Sequence, residues 1–277
     1  MEVESVPADC RSLTVQVQEA LARRSDEAPL IPPEVDASYY ESAVLFLLGP
    51  HCGSNGREPC LILNKRSPRV KQAGDLCCPG GGVSPRLDAC LGKVLGLPAF
   101  PLARWSRWRT WRQTRPAETG RLATLFATCL RESFEEMRLN PLGVRFLGPL
   151  PYQCLSLFRR VIYPMAGWVA RQTRFTPNWE VEKIVHIPLR TLLEPSRYAR
   201  YRLLTAPDLE GEIVPSQQDF PCFLHENGEE SERLWGATYR IVMIFLEIVF
   251  GFKPPDPETL PVVRGFLDEN YLTGNNH

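Results

Sequence analysis

Residues 127–139, ATCLRESFEEMRL, constrain this chain more than any other stretch. Glu132, Glu135 and Glu136 stand at i, i+3 and i+4, a spacing that sets three carboxylates on one side of an α-helix. Leu122, Leu125, Phe126, Cys129, Leu130, Phe134 and Met137 recur at helical spacing on an arc that leaves Glu132 and Glu135 out and has Glu136 at its margin. That pattern predicts a helix with one packed face and one acidic edge. Pro141 predicts its end within a turn or so. Carboxylates this close repel one another, and a hard divalent cation with oxygen ligands removes the cost. The competing reading is a solvated acidic face with Arg131 and Arg138 as counterions.

Composition narrows the classes of partner. Lys+Arg and Asp+Glu both number 32, so no global charge points to nucleic acid or to a membrane. A length of 277 residues with 44% hydrophobic residues suffices for one sizeable core. The nine cysteines form no CxxC pair, and the histidines at 51, 186, 225 and 277 do not cluster with them. This usage suits a reducing compartment and offers no zinc spacing. The acidic start, MEVESVPADC, lacks the apolar stretch of a signal peptide. The longest apolar run, residues 241–252, is short for a membrane span and contains Glu247. A soluble, cytoplasmic protein is expected.

In chain order, residues 13–24 predict a short amphipathic helix, followed by a connector with Pro29, Pro32 and Pro33. Residues 42–48 (SAVLFLL) predict a buried strand, with residues 59–64 (PCLILN) as its partner. Strands are also expected over 144–147 and 160–170, and a strand pair over 198–205 and 219–225, joined by a loop rich in Pro, Asp and Glu. An apolar helix follows to Phe250, then a short terminal helix near 260–270.

Upstream of the acidic helix stands Cys78-Pro79-Gly80-Gly81-Gly82, with Asp88 six residues after Gly82. Glycines without Cβ let backbone approach a ligand closely, and Pro79 marks a turn. Here the chain resembles the Nudix hydrolases, whose box reads Gly-x5-Glu-x7-Arg-Glu-U-x-Glu-Glu-x-Gly-U, where U is a bulky aliphatic residue. Arg131-Glu132 and Glu135-Glu136 match its second half; Ser133 stands at a bulky position and Arg138 at the glycine. A side chain at 138 is expected to extend the helix by a residue or so. Leu61-Ile62-Leu63-Asn64-Lys65-Arg66-Ser67, Lys71 and Gly74 are similar to a motif of the coenzyme A diphosphatase-like branch. So are Asn178 to Leu189 and the Trp235-Gly236-Ala237-Thr238 opening of the apolar helix.

The resemblance implies an α/β fold, a Nudix-type α/β/α sandwich with a central mixed sheet. It implies a domain over 42–252, preceded by a helical extension (1–41) and followed by a helical tail (253–277). It implies metal-dependent hydrolysis of a diphosphate linkage in a nucleoside diphosphate derivative, coenzyme A-type compounds first. Mg2+ or Mn2+ would be held by Glu132 and Glu136, with Glu135 on a second ion or its water. Arg131 would steady a carboxylate, and Glu180 is the candidate base. Arg66, Ser67, Lys71, Gly80 and Gly81 would bind substrate. The partner expected is a small nucleotide-type molecule; no nucleic-acid signal is strong, and no feature speaks to the oligomeric state.

Residues 89–122 interrupt the box. They carry seven Lys/Arg (93, 104, 107, 109, 112, 115, 121) against the single acid Glu118, with Trp105, Trp108 and Trp111 in seven residues. Three readings stand: a cationic lid over the site, a helix whose tryptophan face packs on the domain, or a segment lying on an anionic membrane. Two alternatives to an enzyme also stand: a nucleotide-binding scaffold that has lost activity, and an interaction protein that docks through this segment.

Overall fold

The computed structural model describes residues 5–7, 9–27, 29, 38–53, 56–155, 159–205, 217–228, 230–267 and 271. The chain runs α1 (Cys10–Glu27), β1 (Tyr40–Gly53), β2 (Gly56–Arg66), β3 (Leu76–Cys77), β4 (Gly80–Gly82), α2 (Pro85–Leu95), α3 (Trp108–Thr114) and α4 (Pro116–Met137). Then come β5 (Val144–Pro149), β6 (Gln153–Leu155), β7 (Arg160–Val169), β8 (Val181–Pro188), α5 (Leu189–Leu192), β9 (Tyr198–Thr205), β10 (Gln217–Asn227), β11 (Glu230–Trp235), α6 (Gly236–Phe250) and β12 (Val262–Leu267).

Strand β1 sits at the centre because both its faces are apolar. Side chains alternate across a strand, so Ala43, Leu45 and Leu47 enter one core while Phe46 and Leu48 enter the other. The second of those cores also holds Leu13, Val17 and Leu21 of α1 and Val242, Phe245 and Leu246 of α6. The first holds Leu122, Leu125, Phe126, Cys129 and Leu130 of α4. The result is a mixed sheet between two helical layers. Its path is β3-β2-β1-β7-β5, with β4 on β1, β6 on β7 and β8 on β2. The β1–β2 pair expected from the apolar runs at 42–48 and 59–64 is present and antiparallel, while β1 pairs with β7 in parallel. A second sheet, β11-β10-β9-β12, pairs residues 198–205 with β10.

Four expectations change. The terminal helix near 260–270 is a strand as far as it is described: Val262–Leu267 runs parallel to β9, an edge that a short alternating segment can fill. Phe134 is 45% exposed and lies under the Arg138 guanidinium, 5.0 Å from ring centroid to Cζ. Arg138 does not extend α4; it takes φ 54°, ψ 35° and closes the helix as a left-handed cap, a conformation that a glycine adopts without strain.

The insertion does not form a lid. Trp105, Trp108 and Trp111 are buried in the core on the α4 side, and Trp105 meets Trp111 and Phe146 edge-on, with ring centroids 5.2 and 5.1 Å apart. Such a trio excludes more apolar surface from water than a solvent-facing flap could. The helix at 13–24 is part of the same body, since Leu13, Val17 and Leu21 are fully buried. Pro32, Pro33 and the Pro/Asp/Glu loop after 205 lie outside the described residues.

Candidate active site

Strand β4 crosses β1 antiparallel, with Gly80 opposite Val44 and Gly81 opposite Ala43. A Cβ on Gly80 would lie 2.4 Å from the Ala43 carbonyl oxygen, and Gly80 has φ 152°. A Cβ on Gly81 would lie 2.5 Å from the carboxyl carbon of Glu132. Only glycine lets this strand pass between β1 and the acidic edge of α4.

The carboxylates of that edge are individually anchored. Glu136 Oε2 accepts from the Gly80 backbone N–H (3.1 Å) and from Asn64 Nδ2 (2.9 Å). Asn64 is 1% exposed and its Oδ1 has no partner among the described residues. Because a carboxylate only accepts, the amide group of Asn64 must face it. Glu132 Oε1 accepts from Arg131 Nη1 at 2.9 Å, while Glu135 is exposed and 3.4 Å from the same nitrogen. Glu180, on the turn before β8, is close enough for its charge to act on Glu136.

Arg131 joins three segments. Its Nε donates to Asp88 Oδ1 (2.8 Å) and its Nη2 to Asp88 Oδ2 (3.2 Å) and to the Gly82 carbonyl (3.1 Å). Asp88 Oδ2 also accepts from Thr128 Oγ1 (2.7 Å) and from the Ser84 backbone N–H (2.7 Å). Burial works against the charge on Asp88, but these donors outweigh it and hold the carboxyl below its ordinary value. The two halves of the motif therefore meet in space although α3 and its neighbours separate them in sequence. Ser133 fits the buried bulky position because its hydroxyl donates to the Cys129 carbonyl at 2.6 Å.

Burial pushes the Glu132 carboxyl up. It pushes Glu136 up to about 8, with the neighbouring charges of Glu132 and Glu180 adding to the effect. A pair of half-buried carboxylates held one helical turn apart, beside an unpartnered amide oxygen, fits a hard cation with oxygen ligands. Among the described residues no three acidic, histidine or cysteine side chains form a closed ligand cage. Mg2+ ordinarily keeps several waters, so an open donor set of this kind suits it.

The residues expected to bind substrate are only partly gathered here. Gly80 and Gly81 line the edge, and the Arg66 charge reaches Glu136. Arg66 Nε donates to the Lys71 carbonyl at 2.7 Å, closing the loop after β2. Ser67 is buried and its Oγ accepts from the Arg69 N–H (3.3 Å), so it serves that turn; the Lys71 side chain is exposed. The sequence placed Asn64 only within the 61–67 motif, without a role, and passed over Thr128 and Ser84. Thr128 stands three residues before Arg131 and could have been read on the same helix edge.

No protein-family model matches the chain. Over 121 residues it is 32% identical to an uncharacterized Nudix hydrolase, NudL, of Pectobacterium atrosepticum, covering 43% of this chain and 56% of that protein. The chain thus spans little more than half the length of the curated relative it matches. Among solved structures it superposes on a Nudix hydrolase of Alicyclobacillus acidocaldarius with a TM-score of 0.36, 15% identity and coverage of 56% of this chain and 82% of that one. For RenU of M. smegmatis the figures are 0.34, 14%, 54% and 70%. In sequence, then, the chain is similar to a Nudix hydrolase.

Proposed function

We propose that the protein is a Nudix hydrolase that cleaves the diphosphate linkage of a nucleoside diphosphate derivative, with coenzyme A-type compounds first among its substrates. The observation that carries this reading is the half-buried pair Glu132 and Glu136, set against Gly80 and Gly81 and braced by Asp88–Arg131.

Glu132 and Glu136 would hold Mg2+ or Mn2+, which when bound neutralises phosphoryl charge and makes a nearby water more acidic. The protein's own groups do the rest. Arg131 keeps the Glu132 carboxylate turned to the glycine strand. Asn64 and the Gly80 N–H fix Glu136 through one oxygen, leaving the other for the cation. Glu135, at the exposed margin, would hold a second ion or its water. Glu180 is the base that takes the proton of the attacking water. Arg66 supplies positive charge toward the substrate phosphates. The preference for coenzyme A rests on the likeness of residues 61–74 to that branch.

The test is turnover. Purified protein with Mg2+ or Mn2+ should release monophosphate products from coenzyme A faster than from ADP-ribose, dinucleoside polyphosphates or capped RNA. Tenfold preference for ADP-ribose or a nucleoside triphosphate would reject the substrate class. No turnover of any member would reject the activity.

A further inference from the structure

Helix α2 presents three faces. Asp88, Gly92 and Leu95 are buried, and a Cβ on Gly92 would lie 2.8 Å from the Ala123 backbone of α4. At about 100° per residue, Leu87, Leu91 and Val94 share a second face, and all three are exposed; Leu97 follows the helix at 51% exposure. Arg86 and Lys93 fall together on a third face, bordering the aliphatic one. Trp108 packs against Gly96, 2.7 Å from where a Cβ would stand, and so ties α3 to the end of α2.

The exposed charge carried by this segment itself has one sign. Between residues 83 and 117 Asp88 is the sole acid, and it is buried against Arg131. Arg107 and Arg115 are paired with Asp26. Arg86, Lys93, Arg104, Arg109 and Arg112 are exposed and make no ion pair among the described residues. The aromatic side of the segment is turned inward, leaving its aliphatic and cationic sides outward.

We infer that this face of α2 and the segment after it dock the protein on an anionic lipid surface. Complementarity calls for an anionic partner with an apolar interior. A second copy meeting this one through the same patch would set Arg86 and Lys93 against their own equivalents, which repel. Tight protein interfaces anchor on tryptophan and tyrosine, and here the three tryptophans of the segment are buried. A ridge of Leu and Val bordered by exposed bases suits a helix lying in the plane of the headgroups, its bases among lipid phosphates. No helix among the described residues is long and apolar enough to cross a membrane, so the contact is superficial.

Vesicle flotation tests this. The protein should float with phosphatidylcholine vesicles that contain phosphatidylglycerol, and not with phosphatidylcholine alone. Leu91→Ser/Val94→Ser should abolish flotation, and Arg86→Glu/Lys93→Glu should weaken it about tenfold or more, each variant keeping the parent melting temperature. High salt should weaken it as well. Absence of flotation by the parent protein would overturn the inference, as would equal flotation by both variants. So would concentration-dependent dimerisation that Leu91→Ser/Val94→Ser removes, or capture of soluble polyglutamate with no vesicle binding.

Discussion

Asp88 and Arg131 stand 43 residues apart in the chain and meet in an ion pair of 2.8 Å, with Asp88 fully buried. That contact lets the long segment between them loop out and pack elsewhere without disturbing the acidic edge of α4. Asp88→Asn keeps the shape and leaves the Arg131 charge without its main partner. Equilibrium unfolding in urea should show a loss of about 3 kcal/mol or more, as for one-sided removal of other buried pairs. A loss below about 1 kcal/mol would mean the pair is not what joins the two helices.

Asn64 is predicted to act through Glu136. Asn64→Leu removes one donor to Oε2 and also the unpartnered oxygen, so stability should change little. Calorimetric titration with Mn2+ should show affinity falling about tenfold or more, the usual effect of losing a group that orients a ligand. Unchanged affinity would reduce Asn64 to a packing residue.

Much of this arrangement could be read from the sequence, and the reasons differ by residue. The glutamates and the packed arc of α4 follow from a 3.6-residue period, which is local. Asn64 could not be found that way, because its partner lies 72 residues on. Phe134 sat at the rim of the arc, where periodicity does not separate buried from exposed. The strand at 262–267 takes its hydrogen bonds from β9, about 60 residues earlier, and its sequence shows only a weak alternation. The triplet Trp105, Trp108, Trp111 fixed a helix-like face but not what it faces; Phe146, which receives it, is distant in the chain.

Trp111→Ala should cost about 3–5 kcal/mol in thermal or urea unfolding. Trp111→Phe should cost far less, since it drops an indole N–H that has no partner among the described residues. Replacing residues 95–115 with a Gly/Ser linker should likewise lower the melting temperature. A stable deletion variant whose only change is a higher KM would restore the lid.

Arg138→Gly places at the helix end the residue that tolerates φ 54°. Relief of left-handed strain competes with loss of the Arg138–Phe134 contact, and the net expectation is a gain of about 0.5–1 kcal/mol. Destabilisation in urea would show that the contact outweighs the strain.

The central claim is that the acidic edge of α4 binds the cation on which turnover depends. Glu136→Gln is isosteric and removes the charge that burial makes costly, so folding should be kept or slightly improved. The decisive measurement pairs Mn2+ titration with coenzyme A hydrolysis on Glu132→Gln, Glu136→Gln and the parent protein. The account predicts that each variant folds, binds Mn2+ at least tenfold more weakly and turns over about a hundredfold more slowly. Parent-like Mn2+ affinity and turnover in both variants would contradict it.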